Sequence, residues 1–439
     1  MSHAKPLRSG SPYQGYAYSY PHKTAYRKLE PPVPLGPLWA GERREALFLY
    51  IHVPFCGMRC GFCNLFTKSR PVPALVAGYL GGLARQAIQV RSELGPASFA
   101  RFAIGGGTPT YLDIAGLETV LDVATRTMGA DLGRIGGSVE VSPGTVDSEK
   151  LGLLRDRGVD RVSVGVESFD ETEAAAIFRP QRISTVERAL ETIRESGIPR
   201  MNLDLIYGLP GQSVASWLAS VREALRFEPE ELYLYPLYVR PLTGLGRSGR
   251  EWDDLRLTCY REARAFLIEE GYTQSSMRMF RASKTPGEIG PAYRCQEDAM
   301  VGLGCGARSY TSTLHYASEY AVGSRGVGEI IADYAGRPTE WFTRADYGIE
   351  LDEEDRRRRY VIQSLLSPEG LDMATYSRRF ESPAFSDLPE LAELEPIGLA
   401  RQASGILRLT QSGLERSDAI GPWLYSAKVR ERMEDYAWR

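Results

Sequence analysis

The residues best suited to chemistry in this chain of 439 residues are three cysteines, Cys56, Cys60 and Cys63. Their C-x3-C-x2-C spacing lets one short loop turn three thiolates toward a common centre. Three thiolates are one ligand fewer than a structural zinc site or a fully ligated iron–sulfur cluster requires. A [4Fe–4S] cluster held by this loop would therefore keep one iron free for a substrate or cofactor.

Other interpretations of the cysteine loop are a redox pair, a metal site completed by distant ligands, and burial as small apolar residues. The third thiol argues against a redox pair. No histidine follows at zinc-ligand spacing, and His52 lies upstream, four residues before the first cysteine. The spacing favours the open cluster over the other interpretations. Outside the loop stand Cys259, Cys295 and Cys305; of these Cys305 lies among glycines, where a small packed residue is favoured over a functional thiol.

Composition and charge limit the class of protein. The chain is 43% hydrophobic and 25% charged, with a net charge of −3, which gives no sign of a nucleic-acid partner or a membrane surface. Six cysteines in a chain of this length are no disulfide framework, so a reducing compartment is expected. Because the N-terminus has no apolar signal region and no apolar run reaches about 18 residues, we expect a cytoplasmic protein that is neither exported nor membrane-spanning.

Short apolar runs alternate with helical patterns through the middle of the chain. Strands are predicted at 46–53, 99–104, 138–142, 161–166, 201–206 and 232–237. A helix is predicted at 73–94, and Ser184 with Glu187 predicts a capping box for a later helix. The alternation implies right-handed parallel units, and six units predict an α/β fold with a partial (β/α)6 TIM-like barrel. Reactive residues then belong at the C-terminal ends of the strands.

Polar residues recur at these strand ends. They are Tyr50 and His52 on the first strand, Gly105–Thr108 after the second, Glu140 in the third, and Glu167, Arg179 and Asp204 at the fourth and fifth. A carboxylate inside an apolar strand needs a polar lumen or a cationic partner. A salt-bridge network could explain any one of them. Their recurrence at one end of successive strands favours a polar ligand with a ribose and an amino-acid moiety.

The run from Tyr50 to Cys63 resembles the signature of radical S-adenosylmethionine (SAM) enzymes. Further segments at 105–110, 140–143, 163–169, 204–210 and 302–307 are similar to the oxygen-independent coproporphyrinogen III oxidase family. That family also includes heme chaperones and radical SAM C-methyltransferases, and this chain resembles its oxidase-like branch most. The C-terminal segments 365–371 and 409–414 resemble the family's small helical, winged-helix-like domain.

This resemblance implies a set of ligands and roles. The three cysteines of the loop would ligate a [4Fe–4S] cluster whose fourth iron chelates SAM, Phe62 would pack against adenine, and Tyr50, Gly106 and Glu140 would hold the first SAM. Tyr50, His52 and Glu140 are the candidate catalytic residues. Reduction of the cluster would cleave SAM to methionine and a 5′-deoxyadenosyl radical that abstracts hydrogen from a substrate.

In the oxidases a second SAM lies beside the first. The positions that contact it match Gly107, Thr108, Glu167, Arg179 and Asp204. The oxidase pattern has glutamine where this chain has Glu167, which replaces a donor–acceptor with a group that only accepts at neutral pH. Heme chaperones carry His-Asn where this chain has Glu297 and Asp298.

The resemblance also predicts the organisation of the chain. We expect an N-terminal extension or lid at 1–44, the radical SAM barrel at 45–245, a barrel extension with substrate-side loops at 246–340, and the C-terminal helical domain at 341–439. The tyrosine-rich stretch 11–27 is interpreted either as a strap that covers the barrel or as a lid over a large planar substrate.

The function expected from the resemblance is that of a radical SAM oxidoreductase that decarboxylates a porphyrinogen-type substrate. The alternatives are a radical SAM methyltransferase, or another carbon modification of a different substrate, and a heme-binding chaperone. The expected partners are a small-molecule substrate, such as a tetrapyrrole, and an electron donor such as flavodoxin or ferredoxin.

Overall fold

Seven parallel strands form the centre of the fold, in a computed structural model that describes residues 5–16, 19–287 and 289–438. The strands are β1 Leu47–Val53, β2 Phe99–Gly106, β3 Ser138–Val141, β4 Arg161–Glu167, β5 Arg200–Tyr207, β6 Glu231–Pro236 and β7 Met300–Leu303. Strands β1 to β6 pair in chain order, and β7 pairs in parallel with the free edge of β1. The predicted fold class, an α/β fold with a partial barrel of parallel strands, is confirmed.

Antiparallel strands extend this sheet at both edges and keep it open. Beyond β7 follow Arg308–Tyr310, Leu314–Ala317, Arg344–Glu350 and Arg27–Pro34, and beyond β6 follow Met279–Ala282 and Tyr272–Gln274. The described part of the chain thus forms one sheet of 13 strands. The additional strands place loops of the 246–350 region over one side of the barrel.

Helices between the parallel strands cover the outer face of the barrel. The main ones are Pro73–Leu94, Ile114–Asp122, Ser148–Asp156, Ile183–Ser196, Val214–Leu225 and Arg256–Glu269. The capping box predicted at Ser184 and Glu187 is wrong, because the helix already begins at Ile183 and Arg182 provides no side-chain cap. Its first turn is held by a tertiary contact instead, since the Ile183 amide donates to Glu171 Oε1 at 2.9 Å.

The parallel strands have an apolar outer face and a polar inner face. On β1 the alternate residues Leu47, Leu49, Ile51 and Val53 are buried. The inner face carries the side chains between them and their neighbours on the other strands: Tyr50, His52, Ser138, Glu140, Arg161, Ser163, Asn202, Asp204, Tyr233 and Tyr235. Successive residues of a strand point to opposite faces, so this alternation builds a polar lumen. The packed apolar layers of a closed barrel are replaced here by a cavity.

The N-terminal and C-terminal parts of the chain pack on each other. Strand Arg27–Pro34 pairs with Arg344–Glu350, and Tyr20 and Tyr26 belong to an apolar core that includes Ile362 of the C-terminal part. The C-terminal part has a sheet of Leu371–Asp372, Ile406–Leu409 and Ala400–Ala403, with helices Glu353–Leu365, Met373–Phe380, Ser417–Trp423 and Ala427–Glu434. Further helices are Lys5–Ser9, Leu35–Ala40, Leu132–Ile135, Glu171–Ala176, Gly244–Ser248, Ser324–Gly336, Ala384–Asp387 and Gln411–Leu414.

Two predictions can be compared with the described residues only. Tyr18, in the tyrosine-rich stretch, lies outside the described residues. In the described ranges no helix is both long and apolar enough to span a membrane.

Candidate functional site

The cysteine loop follows directly from β1 and is held by hydrogen bonds to two of its sulfurs. Thr67 Oγ1 donates to Cys56 Sγ at 3.2 Å, and Arg179 Nη1 donates to Cys60 Sγ at 3.2 Å. The Cys63 amide donates to the Cys60 carbonyl at 3.1 Å. Burial raises the pKa of Cys60, and it raises the pKa of Cys63 to about 12. Donors at the sulfurs suit thiolate ligands, which need positive partners in so enclosed a place.

The glycine-rich loop after β2 lies directly under the cysteine loop. The Gly107 amide donates to Val53 O at 2.9 Å, and the Thr108 amide donates to Phe55 O at 2.7 Å. A Cβ atom on Gly107 would lie 2.5 Å from Phe55 O and 2.9 Å from Cys56 Sγ. Glycine at 107 is thus required by the close approach of the two loops. Thr108 Oγ1 lies 3.4 Å from the same sulfur.

Glu140 and Gly106 meet across β2 and β3. The Gly106 amide donates to Glu140 Oε2 at 3.0 Å, with a Gly106 φ of 119°. A Cβ atom on Gly106 would come within 2.8 Å of the His52 ring. Burial inside the barrel raises the pKa of Glu140 to about 7. The side chain is nevertheless exposed to the lumen.

His52 is a buried, neutral residue of the lumen wall. Its Nε2 lies 2.8 Å from Phe66 O, and its Nδ1 lies 3.3 Å from the Tyr50 hydroxyl. Burial lowers the pKa of His52 to about 4, so the ring is uncharged near pH 7. With Nε2 donating to the carbonyl, Nδ1 accepts from Tyr50 and fixes the orientation of that phenol.

Glu167, Arg179 and Asp204 come from neighbouring parts of the chain: Glu167 ends β4, Arg179 follows helix Glu171–Ala176, and Asp204 lies within β5. Glu167 has a φ of 67°, and its Oε1 lies 3.8 Å from Arg179 Nη1. Burial raises the pKa of Glu167 to about 7 and that of Asp204 to about 6. Asp204 accepts hydrogen bonds from Asn202 Nδ2 at 2.8 Å and Ser163 Oγ at 3.2 Å. Arg179 therefore connects Cys60 of the cysteine loop to the carboxylate of Glu167.

A cavity of about 720 Å³ fills the lumen. Of the residues predicted for the site, it is lined by Tyr50, His52, Gly106, Glu140 and Asp204. The three cysteines, Phe62, Gly107, Thr108, Glu167 and Arg179 are not among its lining residues. Phe62 packs against an apolar cluster that contains Ile177, Ile206, Leu209, Leu237 and Leu245. The structure thus gathers the predicted residues in two adjoining places, a lumen and a loop at one end of it.

Several lining residues were not predicted from the sequence. Lys23 and Tyr16 come from the N-terminal stretch, and Arg308 comes from the strand that follows β7. The tyrosine-rich composition of 11–27 was the available signal for the first two, while Arg308 lies in no recognised motif. Thr67, which contacts Cys56, was also missed. Cys259 and Cys305 are buried in the apolar core, and Cys295 is exposed.

The donor set of the loop suits an iron–sulfur cluster. Across the described ranges no three His, Cys, Asp or Glu side chains are grouped so that they could hold one metal ion. A four-iron cluster is larger than a single ion, and its thiolate ligands stand further apart. The buried Arg179 Nε has no hydrogen-bond partner among the described residues. Buried donors are normally satisfied, so this atom is suited to donate to a polar group of a ligand beside the cysteine loop.

Known proteins are similar to this chain in sequence and in fold. The radical SAM superfamily model matches residues 50–224, and the HemN C-terminal domain model matches residues 351–415. The chain is 28% identical over 394 residues to an oxygen-independent coproporphyrinogen III oxidase of Cereibacter sphaeroides, covering 84% of this chain and 83% of that protein. It is 30% identical over 275 residues to Heme chaperone HemW of Escherichia coli, covering 60% of this chain and 69% of that protein.

The solved structure of coproporphyrinogen III oxidase (HemN) from Escherichia coli has the same fold. It superposes with a TM-score of 0.76 over 88% of this chain and 92% of that chain, at 23% sequence identity. The resemblance inferred from the sequence motifs is confirmed by these matches.

Proposed function

Within the radical SAM family of oxygen-independent coproporphyrinogen III oxidases and HemW heme chaperones, to which this chain belongs, we propose that the protein is an oxidase-type enzyme. It cleaves SAM reductively at a [4Fe–4S] cluster and oxidatively decarboxylates a porphyrinogen-type substrate. One observation carries the proposal. The Glu140 carboxylate, held by the Gly106 amide, faces the cavity of the lumen, next to a three-cysteine loop in which two sulfurs receive hydrogen bonds.

The residues divide between the two cofactors by position. Cys56, Cys60 and Cys63 would hold the cluster. Tyr50, Phe62, Gly106 and Glu140 would hold SAM, and Gly107, Thr108, Glu167, Arg179 and Asp204 would contact a second SAM. When bound, the reduced cluster and SAM supply one-electron cleavage of the sulfonium and a 5′-deoxyadenosyl radical that abstracts hydrogen.

The chain's own residues prepare the lumen for this chemistry. The ionised form of Glu140 accepts hydrogen bonds from ribose hydroxyls or an ammonium group. Neutral His52 fixes the Tyr50 phenol at the lumen wall and adds no charge. Aromatic rings exclude water, which protects a radical from side reactions. Nine tyrosines line the cavity in the described part of the chain.

Residues of the N-terminal stretch contribute to the lining of the cavity. Tyr16, Ser19, Lys23 and Tyr26 all line it, while Tyr20 is fully buried and donates to Asp355 Oδ1 at 2.6 Å. The stretch thus both packs against the C-terminal part and faces the lumen. A cavity of this size suits a large substrate, and its aromatic lining helps to shield that substrate from solvent during the reaction.

The heme-chaperone alternative has less support in this chain. Glu297 and Asp298 occupy the positions where heme chaperones carry His-Asn. Asp298 Oδ2 accepts from the Arg294 amide at 2.8 Å, and Glu297 lies 3.4 Å from Arg294 Nη1. Both carboxylates therefore hold the local backbone and side chains together. Imidazole is a common axial ligand of heme iron, and carboxylates are poor replacements for it.

A substrate assay separates the two functions. The anaerobically reconstituted protein is given SAM, dithionite and coproporphyrinogen III, and carbon dioxide and the tetrapyrrole products are measured by mass spectrometry. In parallel the protein is titrated with heme. We expect decarboxylated product and weak heme binding. Tight stoichiometric heme binding without any decarboxylation would overturn the proposal in favour of a chaperone.

A further inference from the structure

Two cations in the cavity wall differ from Arg161 and Arg200, which each have a carboxylate partner. Arg161 pairs with Glu231 at 2.7 Å, and Arg200 pairs with Asp160. In the described ranges neither Lys23 nor Arg308 lies within ion-pair distance of any carboxylate. An enclosed cation without a counter-charge is unfavourable, so proteins normally pair such groups or place them where a ligand arrives.

Lys23 projects from the N-terminal stretch toward the cysteine loop. Its Nζ lies 3.7 Å from the centroid of the Tyr320 ring and 3.4 Å from Asn64 O, one residue after Cys63. Burial lowers the pKa of Lys23, and the charge of Arg308 lowers it further. The two cations are therefore close enough to repel each other, and an anion between them would relieve that repulsion.

Arg308 comes from a different part of the chain but faces the same side of the cavity. Its side chain donates no hydrogen bond to any described residue, and its guanidinium carbon lies 5.7 Å from the centroid of the Tyr310 ring. Tyr16, Tyr26 and Tyr50 are its electrostatic neighbours. A planar guanidinium with free N–H groups is well suited to bidentate binding of a carboxylate.

We propose that Lys23 and Arg308 form an anion-binding subsite that takes a carboxylate of the substrate, while neighbouring tyrosine rings pack against a flat apolar body attached to it. The carboxylates Glu140 and Asp204, on β3 and β5, also line the cavity. The cavity thus offers carboxylates to cationic and hydroxyl groups of a ligand, and Lys23 and Arg308 to an acidic group. The identity of the ligand as substrate rests on the proposed function, whereas the anion preference itself does not.

The test uses two fluorescent probes with the same pyrene body, the anionic carboxylate 1-pyrenebutyrate and the neutral alcohol 1-pyrenebutanol, titrated into the cluster-reconstituted full chain. We expect the carboxylate to bind about tenfold more tightly, which corresponds to about 1.4 kcal/mol. Arg308→Gln and Lys23→Met should each lower affinity for the carboxylate about tenfold and leave affinity for the alcohol within about twofold. Retained binding of the alcohol also shows that the variants are folded.

A matched control removes a cation elsewhere. Arg325→Gln changes an exposed side chain that pairs with Glu329, and it should leave both affinities unchanged. Equal affinity of the wild type for the two probes, or equal loss of both affinities in the variants, would overturn the proposed subsite.

The carboxylate of SAM is the alternative source of the anion, so SAM affinity is measured by equilibrium dialysis. We expect it to be unchanged; a tenfold loss of SAM affinity in both variants would assign the subsite to SAM and overturn the proposal. Because the probes need neither SAM nor turnover, failure here is distinct from failure of the decarboxylation assay.

Discussion

Replacing Glu167 by glutamine should stabilise the protein in a manner that depends on pH. Glu167 is only 8% exposed, and burial raises its pKa from 4.5 to about 7 in the folded protein. Between these values the folded chain binds more protons at this site than the unfolded chain. The contribution of Glu167 to stability is therefore fully present below about pH 4.5 and is lost as the pH rises toward about 7.

The size of the effect follows from the shift. One pKa unit corresponds to about 1.36 kcal/mol, so ionisation of Glu167 costs about 3 kcal/mol at pH 8 and under about 1 kcal/mol at pH 5. The amide of glutamine does not titrate and avoids this cost. At about 2.1 cal/mol/K per residue, 1 kcal/mol shifts the melting temperature of a chain of 439 residues by about 1 °C.

The assay is thermal unfolding of the cluster-free protein from pH 5 to pH 8. The melting temperature of Glu167→Gln relative to the wild type should increase by about 2–3 °C over this range. Glu191→Gln, on an exposed face of helix Ile183–Ser196, makes the same chemical change away from the lumen and serves as the control. A difference that stays constant with pH, or a variant that is less stable than the wild type at pH 8, would refute the reasoning.

Two further substitutions test the loops around the cysteines. Thr67→Val removes the hydroxyl that donates to Cys56 Sγ. It should lower the reduction potential of the reconstituted cluster, because a hydrogen-bond donor stabilises the more negative reduced state. The expected shift is about 40 mV, which corresponds to about 1 kcal/mol for one electron. Potentiometric titration followed by EPR measures the shift, and Thr67→Ser should retain the wild-type potential. An unchanged potential in the valine variant would contradict the assignment of Cys56 as a cluster ligand that accepts from Thr67. Gly106→Ala places a Cβ atom 2.8 Å from the His52 ring at a φ of 119°, a strain of about 1–3 kcal/mol. It should weaken SAM binding in equilibrium dialysis at least tenfold, and wild-type affinity would show that the loop does not meet the cofactor.

Much of the barrel was predictable because its strands are short segments rich in apolar residues that alternate with helical patterns. All six predicted strands agree with the structure within two residues at each end, as at 99–104 against Phe99–Gly106. Strand Arg27–Pro34 was not predicted, since it contains two adjacent prolines and its partner Arg344–Glu350 is about three hundred residues away. Prolines are tolerated there because this is an edge strand, and its pairing is interrupted between Lys28 and Val33.

The candidate site was predictable only where a local motif carries it. Spacing identified the cysteines, and glycine composition identified the loop below them. Lys23 and Arg308 lie far apart in the chain and far from the cysteine motif, so only the folded arrangement shows that they share a cavity. The start of helix Ile183–Ser196 was mispredicted for a similar reason, because Glu171 from the preceding helix holds it.

The measurement that tests the central claim most directly is the fate of SAM. The reconstituted protein and its Cys60→Ala variant are incubated without oxygen with SAM and dithionite, and 5′-deoxyadenosine and methionine are quantified by liquid chromatography. We expect both products in equal amounts from the wild type and neither from the variant. Absence of 5′-deoxyadenosine from a wild-type protein with a full cluster would contradict the claim that this is a SAM-cleaving enzyme.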